Sequence, residues 1–365
     1  MKVNYNDLVN IYEKEIKRNT KNKRKVYRFE RFKTEYLNEI YDILTNDTYG
    51  GIKYNIFLIR DPKYRVVMSL NIFDKIINHY ITRFVLIPKL EKYLDFRNVA
   101  TRKNMGRDYG INLLKKYLEH FKTKENCYIL KIDMSKYFYS IDHEVLKSMI
   151  KSDLTDIEYK LICTIIDSTN DSYINRVITD LKNEELKFVK KRKSEVLELP
   201  LCEKGKSLPI GNMSSQFLSI FYLNRIDHKI IHDYHLKFFV RYMDDIIILH
   251  ESKEYLKKVL SLLEKELNDV YKLKLNKKKT KITNLKEGVI FCGYRFRVID
   301  NKTIINVCKG TKERVKRRVK EVKYLYKNNK VTFETAFSSV NTYYNGFKYG
   351  SKKKIRRIVD KYFFG

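Results

Sequence analysis

Two adjacent aspartates, Asp244 and Asp245, interrupt a stretch that otherwise reads as strand: Phe-Phe-Val-Arg-Tyr-Met before them (residues 238–243) and Ile-Ile-Ile-Leu after them (246–249). β-Branched and aromatic residues favour strands, whereas Asp favours turns. The pair is therefore expected at the tip of a hairpin. Two neighbouring carboxylates repel each other unless a cation neutralises them, and hard divalent cations bind through carboxylates plus substrate phosphates. Taken alone, the segment reads first as an ordinary hairpin with an acidic turn.

A second segment changes the balance. Residues 127–133, Cys-Tyr-Ile-Leu-Lys-Ile-Asp, form an apolar strand ending in Asp133. One carboxylate at a strand end and two at a hairpin are what a two-metal phosphoryl-transfer site needs. Asp133 followed five residues later by Phe138, with Tyr242-Met243-Asp244-Asp245 downstream, resembles the palm of reverse transcriptases, whose motifs A and C carry this pattern. Between them, Ile210-Gly211-Asn212-Met213-Ser214-Ser215-Gln216 is similar to motif B, a Gly turn leading into a helix. Most of the family carries Gln-Gly-x-x-x-Ser-Pro there. The Ile-Gly-x-x-x-Ser-Gln form resembles the bacterial diversity-generating retroelement branch, with some defence-associated enzymes sharing it. Leu275–Ile282 resembles motif D, and Phe291-Cys292-Gly293-Tyr294-Arg295-Phe296 the primer-gripping motif E. Arg60-Asp61-Pro62-Lys63-Tyr64-Arg65 resembles the fingers motif that holds the triphosphate. These blocks follow the family's order.

The resemblance implies an α+β right-hand polymerase fold. It divides the chain into an N-terminal helical region and fingers (1–127), a palm of antiparallel sheet packed on helices (128–298) with a fingers insertion near 150–205, and a short, helical, basic thumb (299–365). It implies an RNA-directed DNA polymerase that uses dNTPs and two Mg²⁺ ions, with Mn²⁺ as the alternative. Asp133 and Asp244 would be the bridging metal ligands and Asp245 the weaker one. Lys279 would stabilise or protonate the leaving pyrophosphate, a role that Lys277 or Lys278 could also fill. Lys63 and Arg65 would face the triphosphate; the other reading is a surface charge pair on a hairpin, which fits Lys63 nearly as well. Phe138 would sit under the deoxyribose and exclude a 2′-hydroxyl, unless it only packs. Ile210, Gly211 and Gln216 would lie near the incoming nucleotide. Tyr242, Gly293 and Tyr294, with Arg314, Arg317, Arg318 and Lys320 of the thumb, would contact nucleic acid. As a lone helix, that last cluster is a solvated face. Asp142 and His143 are assigned capping roles only.

Composition agrees with a polyanionic partner. The chain has 76 Lys and Arg against 44 Asp and Glu, a net charge of +32, and such a cation repels itself unless matched. At 365 residues, two or three subdomains are expected. The five cysteines show no Cys-x-x-Cys spacing and read as reduced thiols. No apolar run approaches a membrane span, and no signal-like stretch opens the sequence, so a cytoplasmic protein is expected, bacterial as the resemblance implies. Leu256, Val259, Leu260, Leu263, Leu267 and Val270 mark one amphipathic helix face. His228, His232 and His235 are placed on the polar face of the motif B helix. The expected partners are a structured non-coding or template RNA, the cDNA product, and either a small accessory protein or further copies of the chain; no membrane is expected. The biological role divides between a diversity-generating retroelement and, alternatively, an antiphage defence or retron-like system. A catalytically inactive RNA-binding scaffold is the remaining option.

Overall fold

Helix starts are written directly in the sequence. Asn4, Asn22, Asn71, Asp142, Thr155 and Thr332 each accept a hydrogen bond from a backbone N–H in the first turn that follows. Each such cap is worth about 1 kcal/mol. Asp142 is thus the cap that the sequence predicts. The computed structural model describes residues 1–46, 48–350 and 352–365. It divides into two units, each assembled from three stretches of chain.

The first unit comprises Met1–Thr101, Met134–His235 and Ser261–Asn276. Its N-terminal helices, including Lys23–Arg31 and Lys33–Asn46, lead to an antiparallel hairpin of β1 (Asn55–Ile59) and β2 (Arg65–Ser69), paired from Asn55↔Ser69 to Ile59↔Arg65. Helices Ile72–Ile81, His143–Ile150, Asp156–Asp167, Ser172–Phe188 and Met213–Tyr222 follow. Their shared core includes Leu8, Ile40, Ile76, Leu146, Leu161 and Ile220, none exposed. One expectation is corrected here. The chain leaves helical geometry at Leu223 (φ −101°, ψ 12°), so His228 and His232 lie on a separate helix, Asn224–His232, and not on the motif B helix. There the two rings stack, 5.9 Å apart.

The second unit comprises Arg102–Asp133, Leu236–Leu260 and Lys277–Gly365. A four-stranded antiparallel sheet runs in the order β4 (Phe239–Tyr242), β5 (Asp245–His250), β3 (Tyr128–Ile132), β6 (Lys281–Asn284). Ile129, Leu130 and Ile132 of β3 and Ile246, Ile247 and Ile248 of β5 are all fully buried. Strands covered on both faces read as unbroken apolar runs, which is why these two were so visible in the sequence. A second sheet orders β7 (Val289–Phe291), β8 (Tyr294–Ile299) and β9 (Lys302–Val307). Helices Lys309–Lys327, Phe333–Gly346 and Lys352–Val359 end the chain. Helix Lys253–Asp269, whose residues from Ser261 on belong to the first unit, buries Leu256, Val259, Leu263 and Leu267, whereas Val270 falls beyond its last turn and is 53% exposed. All five cysteines are free thiols.

Candidate active site

The acidic hairpin is tighter than its sequence suggests. Tyr242 pairs with Asp245, so only Met243 and Asp244 form the tip and Asp245 is already the first residue of β5. Met243 adopts a left-handed φ of 57°, unusual for a non-glycine residue. Arg241, fully buried in β4, donates to the Met243 carbonyl at 2.9 Å and braces that turn.

β3 and β5 are adjacent and antiparallel, with Ile132 opposite Ile246. This register brings the end of β3 to the start of β5, and with it Asp133 to the acidic tip. Thr280 fixes the Asp133 backbone: its Oγ1 accepts from Asp133 N (3.3 Å) and donates to Asp133 O (3.4 Å). Both Asp133 carboxylate oxygens accept from Lys279 Nζ at 2.8 Å. Asp245 Oδ2 accepts from Lys131 Nζ at 2.8 Å, and the same ammonium donates to Ile290 O at 2.7 Å. Asp245 Oδ1 is buried with no hydrogen-bond partner.

Among the described residues, no three His, Cys, Asp or Glu side chains gather into a metal cage; two of the three carboxylates are turned onto lysines. The donors nevertheless suit a hard divalent cation. They are all carboxylate oxygens, one of them orphaned, and ammonium groups hold the positive charge. Burial, then the neighbouring charge of Asp133, pushes the Asp244 carboxyl above its ordinary value. Burial pushes Asp245 up to about 6, against the opposing pull of Lys131. Burial and then the charge of Asp245 push the Cys292 thiol up to about 12, so it is no nucleophile.

The sign of the pH effect follows. Both folded carboxyl values lie above the unfolded value of about 3.9. The contribution of Asp245 to the stability of the metal-free protein is therefore complete below about pH 4 and is lost as pH rises through about 6, and that of Asp244 runs in the same direction. Cation binding runs the other way, because a protonated carboxyl cannot ligate. We predict that Mn²⁺ affinity and metal-dependent activity fall as pH drops through about 6. Lys131→Met should move that limb to higher pH, as measured by Mn²⁺ calorimetry and a pH–rate profile. An unmoved limb would show that Lys131 does not tune Asp245.

A family model described as reverse transcriptase (RNA-dependent DNA polymerase) matches residues 59–325, well over half the chain. The chain belongs to the reverse transcriptase family. Its α+β architecture, with an antiparallel sheet carrying the acidic residues, is that family's right-hand polymerase fold. A similar solved structure is an apo telomerase from Candida tropicalis, at 15% identity and a TM-score of 0.47, covering 91% of this chain. The chain spans 61% of that telomerase chain. No curated protein matches its sequence.

The remaining predicted residues divide between the two units. In the first, Lys63 and Arg65 are exposed on the β1–β2 hairpin. That hairpin is anchored by residues not assigned a role from sequence. Arg60 forms a two-point contact with Glu185 (2.9 and 2.7 Å), Tyr64 donates to Glu185 (2.8 Å), and Arg192 donates to the Arg60 and Pro62 carbonyls. Arg192 therefore has a structural post within the Lys190–Lys193 charge run. Phe138 is half-buried, and its carbonyl accepts from Leu208 N at 2.7 Å. The Ile210 carbonyl accepts from Met68 N at 3.0 Å, which ties motif B to β2. Gly211 has a φ of 122°, and a Cβ there would meet Val67 Cγ1 at 3.1 Å, so glycine is required. Gln216 is exposed on the first turn of the motif B helix. His143 does more than sit beside a cap. Fully buried, its Nδ1 faces Asp167 at 3.0 Å and its Nε2 the Ser207 carbonyl at 2.7 Å, pinning the loop that leads into motif B.

In the second unit, Tyr242 is half-buried and lies edge-on to Phe291 (6.5 Å). Gly293 closes the β7–β8 turn with Cys292, both at positive φ, the geometry of a two-residue hairpin turn. Tyr294 is 1% exposed against Phe347 and Tyr349, a packing position. On helix Lys309–Lys327, Arg317 is exposed, Arg318 pairs with Glu321 (2.7 Å) and Lys320 lies 4.9 Å from the Tyr362 ring; Arg314 is half-buried.

Proposed function

We propose that this protein copies an RNA template into cDNA by nucleotidyl transfer, with the acidic cluster of Asp133, Asp244 and Asp245 as its reaction centre. The convergence of these three carboxylates at the end of β3 and the start of β5 is the observation that carries the reading. The three would hold Mg²⁺ or Mn²⁺, which supplies charge neutralisation for the nucleotide phosphates. The primer 3′-hydroxyl attacks the α-phosphate and pyrophosphate leaves. Lys279, half exposed and already among the carboxylates, is the proposed proton donor to the departing oxygen. Lys63 and Arg65 are proposed to face the triphosphate, and Phe138, Ile210, Gly211 and Gln216 the incoming nucleotide. The same reading assigns fingers, palm and thumb to 1–127, 128–298 and 299–365. Metal-dependent incorporation of dNTPs on a primed RNA tests it; absence of incorporation in both Mg²⁺ and Mn²⁺ would leave the scaffold reading.

The finer role proposed is that of a diversity-generating retroelement enzyme in the bacterial cytoplasm, with a structured template RNA. Ile210 supports it. Its side chain offers no hydrogen bond where most of the family places a glutamine amide, and a site lacking such a bond discriminates less. We predict low fidelity, worst opposite template adenine, and fewer errors in Ile210→Gln. Sequencing cDNA from a defined RNA measures both; accurate wild-type product would favour the defence role instead.

Phosphate contacts should dominate RNA affinity, given the +32 charge. Neutralising Arg317, Arg318 and Lys320 together should reduce the salt slope of single-strand binding by about 2. An unchanged slope would remove the thumb helix from the interface.

A further inference from the structure

A cleft in the first unit carries the chemistry of a nucleic-acid site that the acidic centre does not use. It encloses about 470 Å³ between helix Lys23–Arg31, Tyr36 and the start of helix Ile72–Ile81. Its wall is aromatic: Phe29 and Tyr36 stack at 5.2 Å and 27°, and Phe73 stands edge-on to Tyr36 at 6.0 Å. Its rim is cationic. Lys25 and Arg28 line it, exposed and, among the described residues, without an acidic partner; burial and the charge of Lys25 both disfavour the ammonium of the half-buried Lys75. Glu39 is the single acid on the lining. Glu13 is engaged with Lys17 and Lys33, Glu30 with Lys17 and Tyr12, and the buried Asp74 accepts from Tyr49 and Asn71. The lining thus carries two cations against one carboxylate beside part-exposed aromatic rings.

We infer that this cleft binds a single-stranded stretch of RNA, stacking a base on the part-exposed rings of Tyr36 and Phe73, which the buried Phe29 backs, and holding flanking phosphates with Lys25 and Arg28. Cations beside aromatic faces are the recurring design for unpaired strands, because every base offers a π-face and every linkage a charge. A strand fits better than a free nucleotide because the features continue beyond the cleft. Residues 21–31 hold six Lys and Arg against one Glu, Tyr27 is 73% exposed, and the Arg31 guanidinium lies 5.5 Å from the ring of the exposed Phe32. A duplex is disfavoured because its base faces are already stacked.

The test uses the full chain with a labelled 12-nucleotide oligouridylate, a labelled RNA hairpin of equal charge, and ATP as a free-nucleotide competitor. Lys25→Gln/Arg28→Gln should weaken oligouridylate binding about tenfold and reduce its salt slope by about 1.4. Phe73→Leu should weaken it about fivefold or more with the slope unchanged. Thermal melts check both folds, and the Gln changes lie at exposed positions. Extension of a saturating, pre-annealed primer–template should be unaltered in both variants. Wild-type oligouridylate binding retained in the Gln double variant, an equal loss on the hairpin, or full displacement by ATP would each overturn the assignment. Failure of the wild type to extend the pre-annealed primer bears on the proposed polymerase activity and leaves the binding result standing.

Discussion

Asp244→Asn and Asp133→Asn should each lower dNTP incorporation by about 10³-fold or more, the scale of removing one charged element from a preorganised site. The two variants are informative because the fold has little to lose from either. Asp244 is a carboxylate that its surroundings resist: burial and the Asp133 charge both push it toward the neutral form. An isosteric amide removes that strain, so the metal-free Asp244→Asn protein should melt no lower than wild type at pH 8. In Asp133→Asn the partner set adrift is Lys279, which is 49% exposed and regains water cheaply. Asp245→Asn is the poorer test. It would leave Lys131, only 12% exposed, with the Ile290 carbonyl as its remaining acceptor, and activity and stability would fall together. Single-nucleotide incorporation in Mg²⁺ and Mn²⁺, with a thermal melt beside it, separates the cases. Near wild-type incorporation by either of the first two variants would remove the carboxylates from the chemistry.

The acidic cluster was legible because it is made of local contrasts. Acidic residues set against unbroken apolar strands announce themselves within ten residues, and Asp142 before an amphipathic stretch announces a cap. Its supports were not legible, because they are single polar residues whose partners are remote. Arg241 sits in a strand run where periodicity marks only burial; nothing nearby shows that it braces Met243. Lys131 alternates correctly for a strand and so looks like a solvent-facing residue, yet its partner Asp245 lies 114 positions away. Arg60 and Glu185 are 125 apart. Tyr294 fits the motif E pattern, but a tyrosine in a hairpin is equally suited to packing and to contact, and only the C-terminal aromatics Phe347 and Tyr349 decide for packing. The same ambiguity applied to Val270, where helical periodicity continued one residue beyond the helix.

Phe138 offers the sharpest test of substrate choice. If its ring lies beneath the sugar, Phe138→Val should raise the use of rNTPs relative to dNTPs by about 10–100-fold, the range that pocket volume alone commands. The substitution is clean because the contact that fixes this residue is made by its backbone: the carbonyl accepting from Leu208 N survives any side-chain change. The ring is only half-buried, so its loss should cost less than the roughly 3–5 kcal/mol of truncating a fully buried phenylalanine. The neighbouring Tyr137, whose hydroxyl donates to the Ser219 carbonyl, is the buried member of the pair and carries the packing. Tyr137→Phe is therefore the control, expected to shift stability without touching sugar selection. Single-turnover rates and apparent nucleotide affinities for matched rNTP and dNTP pairs give the discrimination directly. Equal discrimination in wild type and Phe138→Val would assign the ring to packing, and a change confined to the turnover rate of both sugars would place it in alignment of the primer.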